Sequence, residues 1–129
     1  MKRIISLGIL VVGLFIGLSA PPAVAAQGDL AGTWTSIDGD GSHQTLTIMG
    51  SGNRAYAMTI FDDSATLCDG APALVTGSAR VEEDQLFMRA AAVCLPGGNR
   101  LRGVIGIGFS VDAGSDTLTD EFGVVWSRA

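Results

Sequence analysis

The sequence predicts an all-β fold, a small antiparallel up-and-down β-barrel of about eight strands, with a two-sheet sandwich as the fallback. Three observations carry this reading. Short β-prone runs recur from Gly32 to Arg128, separated by clusters of Gly, Asp, Asn and Pro at the spacing of all-β domains. Beyond the first segment, no stretch keeps a helical period of useful length. The longest run, Leu101 to Val111, carries Leu101, Ile105, Ile107, Phe109 and Val111 on its odd positions, and its glycines at 103, 106 and 108 permit the tight curvature that a closing barrel needs.

Before the first strand, Met1-Lys2-Arg3 leads into an almost unbroken apolar run from Ile4 to Leu18 and then Ser19-Ala20-Pro21-Pro22. This is a signal peptide's order of parts, and Ala23 and Ala25 supply the small residues of a cleavage point. At roughly 15 residues the run falls short of the roughly 20 that a membrane-crossing helix needs. Residues 1–25 are therefore expected to be a helical signal peptide, and 26–129 a single secreted domain, extracellular or periplasmic. With no cysteine near the cleavage point, a lipid anchor is not indicated.

The domain proper opens at Leu30-Ala31-Gly32-Thr33-Trp34, and its first strand runs from Gly32 to Ile37 before the turn Asp38-Gly39-Asp40-Gly41. Gln44 to Met49 alternates Leu46 and Ile48 against Thr45 and Thr47, so one face is buried. After Gly50-Ser51-Gly52-Asn53, the run Arg54 to Phe61 places Tyr56, Met58 and Ile60 together, and Asp62-Asp63 turns the chain into a fourth run, Ala65 to Cys68. Ala73 to Val81 follows, with Gly77 marking a bend or bulge. Gln85 to Cys94 ends in the loop Leu95-Pro96-Gly97-Gly98-Asn99. Past the long run, Thr117 to Thr119 and Phe122 to Arg128 complete the set, the last presenting Val124 and Trp126 on one face.

Cys68 and Cys94 are the only two cysteines, and an even count in an exported chain predicts a disulfide between them. Cleavage removes Lys2 and Arg3, which leaves six basic residues against thirteen acidic ones, a net charge of −7. Phosphate backbones and anionic lipid are repelled by such a surface, so nucleic-acid and membrane partners are not expected.

Chemistry is sparse. Alternating carboxylates before Gly41 suggest a calcium loop, but a frame starting at Ser36 puts Thr47 where a bidentate Glu belongs, and no helix follows. His43 is the sole histidine, at the start of a strand, with no nucleophile motif beside it. Asp62-Asp63 and Glu82-Glu83 are sequence neighbours that would point to opposite faces of a strand, so they read as turn charges. No catalytic, metal or cofactor residue is assigned.

At Gly32-Thr33-Trp34 the chain resembles the lipocalin and streptavidin group, the calycin barrels, whose first strand carries Gly-x-Trp. Arg128 matches the late-strand arginine that stacks on that tryptophan in lipocalins. The resemblance implies structural roles for Gly32, Trp34 and Arg128, with Trp126 as a second core aromatic. It covers about a tenth of the chain, a short pattern; the chain lacks a typical lipocalin's length and C-terminal helix, Thr35, Ser36 and Ile37 do not reproduce the biotin-contacting start of streptavidin, and two tryptophans are too few for the aromatic box around biotin. No ligand residues are carried over. A looser likeness is to small periplasmic metalloprotease inhibitors, single-disulfide barrels in which an N-terminal tail, here Ala26-Gln27-Gly28-Asp29, inhibits.

The expected function is that of a secreted, non-enzymatic binding or interaction module with a filled apolar interior and an unknown protein partner. The alternatives are a lipocalin-like carrier of a small apolar ligand and a periplasmic protease inhibitor.

Overall fold

A computed structural model describes residues 28–101 and 103–129. The expected signal peptide lies outside them, as do Ala26 and Gln27. Nine strands follow in order: β1 (Gly32–Ile37), β2 (His43–Met49), β3 (Ala55–Asp62), β4 (Ala73–Glu82), β5 (Gln85–Cys94), β6 (Asn99–Arg100), β7 (Ile105–Asp112), β8 (Thr117–Asp120) and β9 (Val125–Arg128). Each pairs antiparallel with its sequence neighbour, except that β5 pairs with both β7 and the two-residue β6. Because β9 returns to β1 and β4 also pairs with β5, eight strands close into an up-and-down barrel, and β6 is an appendage. Closure removes the exposed edges that would otherwise invite aggregation.

Period-two patterning becomes rungs around the barrel. Trp34 stands opposite Leu46, Leu46 opposite Ile60, Ile60 opposite Val75 and Val75 opposite Ala92, and all five are buried. One residue along, Thr33, Thr47, Thr59 and Thr76 form the next rung on the outer face. β-Branched threonines suit that position because they stiffen a pleated backbone and still bond water. Across the barrel, Leu86, Met88, Phe109 and Leu118 complete the fully buried middle. The β1–β9 seam is narrow by contrast, only Trp34 with Arg128 and Thr35 with Ser127.

No bulge forms at Gly77, since β4 and β5 stay in continuous register through it. A Cβ there would lie 1.9 Å from the Arg89 carbonyl oxygen, so only glycine lets the two backbones approach this closely.

Three expected strands differ. Ala65 to Cys68 is not a strand but a loop containing a single 3₁₀ turn, Thr66–Cys68. The carbonyl of Ala65 accepts from both Cys68 and Gly70, which folds the segment on itself and leaves no partner strand. The long run starts at Ile105, because Gly103 takes a φ of 95° and breaks the extended path. Phe122 lies in the turn before β9, and β9 begins at Val125.

Strand direction sorts the loops to two ends. The turn 38–42, the loop 63–72, the segment 95–104 and the turn 121–124 gather at one end with the Cys68–Cys94 disulfide, whose Cα atoms are 5.6 Å apart. The segment 28–31 and the turns 50–54, 83–84 and 113–116 gather at the other.

Candidate functional site

The barrel is filled through its middle, but the disulfide end opens into a cavity of about 560 Å³. Its wall is apolar: Ile60, Val75, Ile105, Ile107, Phe109 and Trp126 all face it from the strands. Trp126 meets Phe109 edge-on, with ring centroids 6.3 Å apart and planes at 66°. Leu67 from the 3₁₀ turn and Phe122 from the last turn stand at the rim, and Phe122 is 75% exposed. The loop that carries Leu67 is held against the end of β5 by the disulfide, around a small second cluster of Ala65, Cys68 and Ala73.

Gln44 and Asp62 enter the cavity from one rung, which Ser36 continues on β1. Ser36, Gln44 and Asp62 are direct neighbours on β1, β2 and β3 and occupy the inward phase of their strands. The Ser36 hydroxyl donates to Gln44 Oε1 at 2.9 Å, and Gln44 Nε2 donates to Asp62 Oδ2 at 3.1 Å. Asp62 Oδ1 accepts the Ser64 N–H at 3.0 Å. Only 8% of Asp62 is exposed. From the opposite wall, Asp120 Oδ1 accepts the N–H groups of Phe122 and Val124, and Oδ2 accepts from the Trp126 indole at 3.1 Å. Asp38 is the third carboxylate of the lining, and no basic side chain joins it among the described residues.

Expecting Asp62 to be a plain turn charge is therefore corrected: β3 extends to it and turns it inward. The signal was present, because 62 continues the parity of Tyr56, Met58 and Ile60, and 44 that of Leu46 and Ile48. Asp120 follows Leu118 in the same way.

The turn 38–42 spends its carboxylates on its own backbone. Asp38 Oδ1 accepts from Gly39 at 2.7 Å and Asp40 Oδ1 from the Ser42 N–H at 2.9 Å. The hydroxyl and N–H of Ser42 together hold the Asp40 carboxyl below its ordinary range, although the hydroxyl contact falls short of full hydrogen-bond geometry. His43 is exposed at the start of β2, where its N–H donates to Asp63.

Gly32, Trp34 and Arg128 meet at the opposite end, while Trp126 lines the cavity. A second hollow there, about 460 Å³, has Trp34 and Tyr56 in its wall and acidic groups, Asp29, Glu83, Asp112 and Asp116 among them, around it. Asp112 accepts two backbone N–H groups from Ser115 and Gly114, which lower its carboxyl from the ordinary value. The described part of the N-terminal tail is packed down: Gly28 is buried, with its N–H on the Gly50 carbonyl, and the Asp29 N–H reaches Asn53.

The fold and cavity define a small closed antiparallel barrel with an apolar cup at one end, an architecture compatible with the calycin barrels. Comparison with protein-family models, curated proteins and solved structures finds nothing that matches this chain.

Proposed function

We propose that this is a secreted, non-enzymatic binding protein, lipocalin-like in use, that takes a small apolar molecule into the cup at the disulfide end. The cavity carries this reading. Its volume of about 560 Å³ lies within the roughly 300–1,000 Å³ of small-molecule sites, and an apolar wall with a few convergent polar groups is the usual makeup of such sites. Phe122 supports it, since an aromatic ring left three-quarters in water gains on being covered by a ligand. The disulfide supports export to an oxidising compartment.

A protein partner is the second reading, favoured by Ile37, Val104 and Val125, which are exposed around the same end. Titration with the neutral probe N-phenyl-1-naphthylamine separates the two. Saturable binding of one probe per chain, weakened about threefold or more by Phe122→Ser through lost apolar contact, is expected for the cup. Absence of saturable binding overturns the small-ligand reading and leaves the protein surface.

A further inference from the structure

We infer that the molecule the cup takes is an apolar amine, whose ammonium group donates to the carboxylates of the lining. This rests on the small-ligand reading above and adds the chemistry of the head group.

Hydrogen-bonding capacity in the cavity is one-sided. Most donors of its wall are engaged: one N–H of Gln44 Nε2 on Asp62, the Trp126 indole on Asp120, and the Thr66 hydroxyl on Asp40 at 3.3 Å, which leaves the second Gln44 N–H. Acceptors are in surplus. A carboxylate offers about four lone-pair sites; Asp62 receives one hydrogen bond on each oxygen, and Asp38 receives the Gly39 N–H. Open acceptors thus outnumber open donors, and a ligand head that brings donors fits the lining.

Charge points the same way. Among the described residues the one ion pair is Arg128 with Asp116, at the far end of the barrel. Asp62 is more than nine-tenths buried and carries hydrogen bonds, and among the described residues neither it nor Asp38 and Asp120, which line the same space, has a counter-ion. Buried charges are normally paired, because taking an ion out of water is costly unless an opposite charge offsets it. An ammonium supplies three donors and that missing charge at once. Among the described lining residues a fatty carboxylate meets no cation and three like-charged groups. The body of the ligand is set by Ile60, Ile105, Ile107 and Phe109, which call for a chain or rings.

Three ten-carbon probes test this by displacing N-phenyl-1-naphthylamine from the purified protein at neutral pH: decylamine, decanol and decanoate. Decylamine is expected to displace it about tenfold or more better than decanoate, the size of one favourable against one unfavourable contact of partly screened charges. Decanol should fall between, and the gap should narrow with added salt and in Asp62→Asn. Should that variant fail to fold, Asp38→Asn at the rim provides the same comparison. Binding of the naphthylamine with decanoate displacing it as well as decylamine overturns this inference and leaves the cup intact. No binding of the naphthylamine overturns both.

Discussion

The guanidinium carbon of Arg128 stands 4.3 Å from the centroid of the Trp34 indole, so the last residue of β9 covers the central aromatic of β1. The same head group donates to the carbonyls of Ala31, at 2.9 Å, and Asp29, and its Nε pairs with Asp116 at 2.7 Å. One side chain thus ties the entry segment, the first strand and the turn 113–116 together where the barrel closes on two residue pairs. Arginine suits this because its planar fork stacks on an aromatic face and donates in several directions at once.

Arg128→Ala is expected to destabilise the fold by about 1.5 to 3 kcal/mol. About 0.5 to 2 comes from the cation–π contact, about 1 from the hydrogen bonds to carbonyls, and little from the part-exposed ion pair. Trp34→Ala should cost about 3 to 5 kcal/mol, as for other buried aromatics. Urea unfolding followed by far-ultraviolet circular dichroism measures both. A loss below about 0.5 kcal/mol for Arg128→Ala, the range of ordinary surface sites, would show that the seam holds by its backbone bonds alone.

Gly32 has two separable reasons to be glycine. Its φ of 141° lies where other residues are strained, and a Cβ would stand 2.9 Å from Arg128 Nη1. Gly32→Ala should cost about 1 to 3 kcal/mol for the backbone plus the displaced guanidinium. In the Arg128→Ala background the second part disappears and the first persists, so a double-mutant cycle should show coupling.

The Cys68–Cys94 bond spans 26 residues of chain. Restraint of the unfolded chain by such a loop is worth about 3 to 4 kcal/mol, and the paired Cys68→Ser/Cys94→Ser variant should lose that in urea unfolding. Because the bond also holds the loop bearing Leu67 against β5, the variant should bind N-phenyl-1-naphthylamine more weakly even where it remains folded. Unchanged affinity would show that the loop keeps its place without the bond.

Acid should weaken the fold at two turns. Asp40 and Asp112 are held below the ordinary value of 3.8, mainly by Ser42 and Ser115 respectively. Each therefore binds its proton less readily folded than unfolded. Their contribution is fully present above the unfolded value and fades as the pH falls through the lower folded one. Unfolding free energy measured from pH 7 to pH 2 should decline below about pH 4, where a free Asp begins to take up its proton. Asp40→Asn and Asp112→Asn should each flatten part of that decline, and an unchanged slope in both would assign the acid sensitivity to other carboxylates.

Legibility in the sequence follows range. Alternation in 44–49 and 54–61 marked strands with one buried face, because a strand's period is local and Leu46, Ile48, Tyr56, Met58 and Ile60 each declare it within a few residues. Asp62 obeys the same parity yet is hidden beside Asp63, since two adjacent acids before a serine look like any solvated turn. Ala65 to Cys68 has strand-compatible residues and becomes a 3₁₀ turn, because a strand needs a partner and none lies beside it. Phe122, which completes the run toward Arg128 on paper, is lifted to the rim by a turn that Asp120 holds from both sides.

By itself, then, the sequence determined the all-β class, the inward and outward faces of most strands and the pairing of its two cysteines, all set by neighbours a few residues apart or by simple count. Only the tertiary structure decided that the barrel closes through two residue pairs at the β1–β9 seam, and that Ser36, Gln44 and Asp62 share one rung. It alone also decided that the disulfide end remains a hollow cup. The radius of a barrel follows from how many strands close and with what stagger. Whether side chains fill it therefore depends on residues far apart in the chain, whose meeting no local pattern records.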